Sequence, residues 1–359
     1  MRILSLDIHC FRNIRKASVD TDARSVMLVG ENGQGKTNFL EALYVLCYGT
    51  SFRTPNLREA VSHDGRGFSV KADFVDDSGN HHEIQVKHVQ GKRSIFIDRK
   101  EIYDRKELIY TIPCIVFCHD DIEFVRGEPE ARRRFFDQTM SMYNPLFFDD
   151  SRRYRNILRQ RNAALKEGRL SLVPIYDFQL ARYGMSIQKA RKAAVKEFND
   201  IFPRMYRDVS GTDLEISVEY QPSWKMAENA EDAEEILSRA LERDVRMQTT
   251  CSGVHRDKFI VKDADRPFSQ TGSTGQLRLA SLILRMAQAG FFFGKTGKEP
   301  VLLIDDVLLE LDVTRRGRFL SHIEDYSQAF FTFLPEEKYF SSLEDEKMLS
   351  YTVEGGAFR

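Results

Sequence analysis

Apolar runs such as Val301–Ile304 and Phe291–Phe293 stop far short of the roughly 20 residues that a bilayer-spanning helix needs. Met1–Phe11 has no basic segment leading into an apolar one, so no secretory signal is visible and a cytoplasmic location is expected. Cysteine is scarce: Cys10, Cys47, Cys114, Cys118 and Cys251 are odd in number and no two have CxxC spacing. That excludes a zinc knuckle and a disulfide framework, and it predicts reduced thiols buried in the core. Net charge is nearly absent, with 53 Lys and Arg against 54 Asp and Glu, which excludes a protein that coats polyanions indiscriminately. His81, His82 and His88 lie in an alternating polar strand with no carboxylate partner pattern, so they read as solvated surface rather than metal ligands. No internal repeat, low-complexity tract or sustained heptad is present.

What the chain does have is length, and charge that is sorted. At roughly 100–200 residues per domain, 359 residues predict two lobes or one large domain with an insertion. Between Ser151 and Lys196 twelve cations face only Glu167 and Asp177. From Pro300 to Arg359 six cations face twelve anions. The basic stretch suits phosphate backbones, with a solvated helical face as the plainer alternative.

Coarse periodicity predicts a strand over 2–8, a buried strand at 25–29 and a helix over 37–47 with Phe39, Leu40, Leu43 and Leu46 on one side. An antiparallel meander is expected over 68–98, turning at Asp77–Asn80 and Gln90–Lys92. Helices are expected over 131–166, 174–202, 227–248 and 275–290, with short strands at 214–220, 259–261 and 301–304.

Gly30-Glu31-Asn32-Gly33-Gln34-Gly35-Lys36-Thr37 matches G-x-x-x-x-G-K-[ST], between an apolar strand and a helix. Such a loop surrounds the phosphates of ATP with backbone amides, while Lys36 adds a point charge and Thr37 offers a hydroxyl to Mg²⁺. Val301-Leu302-Leu303-Ile304-Asp305-Asp306 has the Walker B form: Asp305 would hold Mg²⁺ and Asp306 would orient the attacking water. The wide separation of the two motifs predicts an ATPase core split by a long insertion. Ser273-Thr274-Gly275-Gln276 opens a helix; alone it is an ordinary N-cap, and beside the other motifs it looks like the signature loop of ABC-type ATPases. Leu309-Glu310-Leu311-Asp312 stands where that class has its D-loop.

These motifs are collinear with others: Phe11-Arg12-Asn13, Gly49-Thr50-Ser51-Phe52-Arg53-Thr54, the segment Gly127–Asp137, and Gly253-Val254-His255-Arg256-Asp257. Together they resemble the bacterial RecF family of DNA replication and repair proteins. A kinase reading of His255-Arg256-Asp257 lacks its lysine strand and DFG. The resemblance implies an α/β fold: a P-loop ABC/SMC-type ATPase head with an antiparallel β meander and an inserted, mainly helical lobe, without a long coiled coil. Residues 1–117 with 298–359 would form lobe I and residues 118–297 lobe II. It also implies an ATP-dependent homodimer in which Ser273, Gly275 and Gln276 act on nucleotide bound by the partner copy. Further implications are DNA at gaps and single-strand–double-strand junctions, slow DNA-stimulated hydrolysis, RecO and RecR as mediators in loading RecA, and support of the SOS response. Arg152, Arg153, Arg155 and Arg159 are the candidate DNA contacts, with solvent exposure or ion pairing to the acidic C-terminal stretch as the alternative; Arg132, Arg133 and Arg134 are DNA contacts or packing residues. Three departures stand out. Asp306 is one methylene shorter than the usual ABC glutamate. Val116–Asp121 lacks a clear Q-loop. Thr332 follows the apolar strand Ala329–Phe331 where many ABC enzymes have histidine. A transporter subunit is the third reading, which the basic lobe and the missing Q-loop oppose.

Overall fold

The computed structural model describes residues 1–63, 65–323, 326–336 and 348–359, without the side chain of Glu310. The contacts divide them into two units, Met1–Asp120 with Gln288–Arg359, and Asp121–Ala287. Among the described residues no helix is long and apolar enough to cross a membrane.

The first unit begins with β1 (Arg2–Phe11), β2 (Ile14–Asp20), β3 (Ser25–Val29) and α1 (Lys36–Tyr48). It continues through β4 (Gly67–Val75), β5 (His81–Val89), β6 (Lys92–Ile97), β7 (Lys100–Ile102), α2 (Lys106–Thr111) and β8 (Cys114–Phe117). Strands in the order β2-β1-β4-β5-β6-β7 form an antiparallel sheet, and buried and half-buried residues alternate along β4. In the chain's second unit come α3 (Glu123–Arg126), α4 (Pro129–Ser141), α5 (Pro145–Lys166) and the 38-residue α6 (Val173–Ser210). They are followed by β9 (Ile216–Gln221), α7 (Ala230–Arg239), α8 (Leu241–Met247), β10 (Lys258–Asp263), β11 (Arg266–Pro267) and α9 (Phe268–Thr271). The chain ends with α10 (Thr274–Thr296), β12 (Val301–Ile304), α11 (Val313–His322), β13 (Gln328–Phe333), β14 (Met348–Glu354) and β15 (Ala357–Phe358).

These late strands return to the first unit and build its second sheet, ordered β15-β14-β3-β13-β12-β8. All its pairings from β14 to β8 are parallel, and β12 and β13 are buried at every position, as a sheet covered on both faces requires. Helix α1 packs against strands of both sheets, so burial goes all round it from Phe39 to Tyr48 rather than along the single side that periodicity predicts.

Other expectations need correction. The long helix does not stop before Pro203 but runs on to Ser210 and ends at Gly211, φ 67°. Phe202, Tyr206 and Val209 continue its apolar face and are fully buried, which outweighs the one amide proline removes. The acidic helix expected over 227–248 is two helices meeting at Ala240. Of the cysteines only Cys47 and Cys114 are buried; Cys10, Cys118 and Cys251 are half-exposed. The histidines are not all solvated surface either. His88 is buried against Phe68, and His82 does have carboxylates, Asp98 and Asp76, on its two ring nitrogens.

Candidate nucleotide site

The parallel sheet places the end of β3, the end of β12 and Thr332 of β13 side by side, because β13 lies between the other two strands. The loop from Gly30 to Lys36 leaves β3 and enters α1, whose leading amides have no intrahelical partners. A Cβ at Gly30 would sit 2.4 Å from the carbonyl oxygen of Val353, and Gly35 holds φ at 119°. Lys36 is 3% exposed and donates from Nζ to the carbonyls of Gly30 (2.5 Å) and Glu31 (3.2 Å). Its charge is thus held inside the curl of the loop, where phosphates would sit.

Thr37 and Asp305, 268 residues apart, meet here: Thr37 Oγ1 donates to Asp305 Oδ1 at 2.8 Å. Thr332 Oγ1 accepts from the Asp306 amide (2.8 Å) and lies 3.2 Å from Asp305 Oδ1 and 2.8 Å from Asp306 Oδ1. Asp306 takes a left-handed φ of 53° to face it. Burial, reinforced by the charge of Asp306, pushes Asp305 up to about 6 against the hydrogen bonds from Thr37 and Thr332. A half-buried carboxylate, beside a second carboxylate and a threonine hydroxyl, is an all-oxygen donor set suited to Mg²⁺.

Sequence reasoning left several supports of this loop without roles. Asn13 Nδ2 donates to the carbonyls of Gly33 (3.3 Å) and Gln34 (3.1 Å), and Asn38 holds Asn13 at 2.8 Å. Beside it, Arg12 makes a two-pronged pair with the fully buried Glu41 of α1 (3.0 and 2.7 Å), which Ser51 and Arg53 also reach. The Phe11–Asn13 and Gly49–Thr54 motifs therefore converge on α1. From the far end of the chain, Gly355 N donates to Gln34 Oε1 (2.7 Å) and Gly356 N to Gln34 O (2.8 Å). The Gly-Gly turn between β14 and β15 was the only signal in the sequence for that contact.

In the second unit, Ser273 and Gln276 form a reciprocal capping box: the Ser273 amide donates to Gln276 Oε1 (2.8 Å) and the Gln276 amide to Ser273 Oγ (3.3 Å). Asp312 likewise caps α11, accepting from the Arg315 amide at 2.9 Å. Gly275 is exposed and a Cβ there would meet nothing within 4 Å. Nothing among the described residues asks for glycine at this helical position, where it costs about 0.5–1 kcal/mol relative to alanine.

The basic helices sort into two groups. Arg161 is fully buried between Asp177 and Asp244, and Arg191 is buried against Asp137 and Asp257. Arg152, Arg153, Arg155 and Arg159 are exposed; Arg152 pairs with Asp149 of its own helix and Arg153 lies over Tyr183. Arg133 donates to the Asp257 carbonyl (2.9 Å) and Arg132 to that of Val125 (3.3 Å), while Arg134 points outward. His255 and Asp257 are architecture of this unit: His255 bridges Tyr154 and the Thr250 carbonyl, and Asp257 also accepts from the Ser223 amide.

A phosphate-binding loop and paired acids on a parallel sheet, backed by an antiparallel meander and joined to a helical unit, define a P-loop head of the ABC/SMC ATPase class. Residues 2–354 match the RecF/RecN/SMC N terminal domain family. A DNA replication and repair protein RecF of Treponema pallidum is 41% identical over 347 residues, covering 97% of this chain and 98% of its own. A solved structure of the recombination mediator protein RecF with ATP, in the RecFOR pathway, superposes with TM-score 0.91 at 25% identity, covering 100% of this chain and 97% of that one. An Smc head bound to the C-terminal winged-helix domain of ScpA shares the fold alone, with TM-score 0.56 at 14% identity, covering 100% and 97% of the two chains. The chain belongs to the RecF family of DNA replication and repair proteins.

Proposed function

We propose that the chain binds and hydrolyses ATP to control its hold on DNA during recombinational repair. The observation that carries this is the meeting of Thr37 with Asp305 beside the buried Lys36. Amides of residues 30–35 would hold the β- and γ-phosphates, with Lys36 leaving its two carbonyls to neutralise them. Mg²⁺ held by Thr37 and Asp305 would neutralise phosphate oxygens as charge develops. Asp306, oriented by Thr332, would position the water.

Ser273, Gly275 and Gln276 would face the γ-phosphate bound by a second copy, and the bare Gly275 surface supports a close approach from outside the chain. Two copies would thus close on ATP and separate after hydrolysis. DNA, gapped duplex above all, would lie on the exposed cations of α5 and α6, including Arg152, Arg153, Arg155 and Arg159. The relatives' names and the RecFOR setting of the solved relative support a place beside RecO and RecR in loading RecA, with replication restart and the SOS response downstream. A second reading is an ATP-gated clamp in which hydrolysis is incidental; the short Asp306 carboxylate, tied to Thr332, favours it.

Light scattering at fixed ionic strength tests the paired state. Wild type should double in mass with ATP, not ADP, and then retain gapped duplex, whereas Ser273→Arg should stay single. A protein that stays single under every condition returns Ser273 to the role of a helix cap.

A further inference from the structure

One exposed stripe of α6 changes character along its length. At 100° per residue, Ile175, Phe178, Arg182, Lys189 and Lys196 fall within about 60° of arc. Ile175 and Phe178 are each 56% exposed, and the three cations are exposed as well. Lys189 and Lys196 form no ion pair with the described residues. Arg182 lies 5.9 Å over Tyr183, a ring it shares with Arg153 of α5. No acid falls among these positions, which from Phe178 to Lys196 cover about 27 Å of helix.

We propose that this stripe binds a single-strand–double-strand DNA junction, with duplex phosphates along Arg182, Lys189 and Lys196 and the first unpaired base stacked on Phe178. The proposal rests on the DNA-binding reading above and names the part of the DNA each end of the stripe holds. A large apolar pair left in water at the end of a cationic row asks for a partner that is anionic and also has an apolar face. Unpaired nucleotides have both, since every base offers a π-face beside its phosphate. Bases within a duplex have their faces covered by stacking, so only the phosphate row can engage them. A second copy of the same stripe carries the same charge and is repelled.

The test uses the full chain, a duplex with a single-stranded tail carrying 2-aminopurine at the first unpaired position, and a duplex closed by hairpins at both ends. Phe178→Ala should weaken the tailed probe about ten-fold and abolish the change in 2-aminopurine fluorescence. It should leave the closed duplex and the salt dependence unchanged, and Phe178→Trp should restore both signals. Arg182→Ala with Lys189→Ala should weaken both probes and flatten the salt dependence. If Phe178→Ala binds the tailed probe like wild type, or weakens both probes alike, the stacking assignment is overturned while the basic surface stands. If the double variant changes nothing, the stripe is not the DNA surface and the proposal is overturned; if wild type binds neither probe, the DNA-binding reading itself falls.

Discussion

Thr332 has one hydroxyl proton and two carboxylates within reach, so it cannot fully satisfy Asp305 and Asp306 together. While it accepts from the Asp306 amide it also fixes where that carboxylate points. Thr332→Val keeps the shape and removes the hydroxyl. It should lower kcat for ATP hydrolysis about ten-fold, the worth of one hydrogen bond to a charged group, with KM within about two-fold and Thr332→Ser recovering most of the loss. A raised KM at constant kcat would instead make Thr332 a nucleotide contact. His255 offers a second test at this scale. Burial pushes it down to about 4 from an ordinary 6.5, so it stays neutral: Nε2–H donates to the Thr250 carbonyl and Nδ1 accepts from Tyr154. Because the folded value is depressed, its contribution is complete above pH 6.5 and falls as pH drops toward 4, by about 1.4 kcal/mol per unit. Urea midpoints of wild type should therefore fall more steeply from pH 7 to 5 than those of His255→Asn; parallel slopes would refute the assignment.

Among the elements, α5 and α6 are pinned by Arg161, with Asp177 of α6, Asp244 of α8 and Thr250 around one guanidinium. Arg161→Met would leave two buried carboxylates without their cation and should cost about 3–5 kcal/mol in urea unfolding. Adding Asp177→Asn and Asp244→Asn should recover much of it; a loss under about 1 kcal/mol would mean that the cluster is easily solvated. The basic run in the sequence could not announce this, because a cation that pairs inward and one that faces water look alike in a list of residues. Helix type and the β3 and β12 strands were legible, since period and local apolar runs decide them. The split at Ala240 and the passage through Pro203 were not, because long-range burial of Asp244, Phe202 and Tyr206 overrides local preference.

At the scale of the whole molecule, occupancy and turnover separate the two readings of function. Lys36→Arg should impair ATP binding, pairing and DNA retention together. Asp306→Asn should retain pairing with ATP, slow hydrolysis by at least about 100-fold, and prolong DNA retention. Repair activity surviving Asp306→Asn would favour the clamp; its loss would favour the hydrolysis cycle. The nucleotide loop was readable from eight residues because its chemistry is local. Strand order was not, so the sequence marked Thr332 only as standing where a histidine is usual, without its bonds to Asp305 and Asp306, and left the Gly355–Gly356 turn unassigned.

The strand order has a consequence for how the chain acquires its activity. The loop-bearing strand β3 has only β13 and β14 as neighbours, and the first of these starts at Gln328. At about 5–20 residues per second of synthesis, β3 waits roughly 15–60 s for its first partner. A nascent chain holding the whole phosphate-binding motif therefore has no sheet to mount it on, and ATP capture should arise late and abruptly in synthesis.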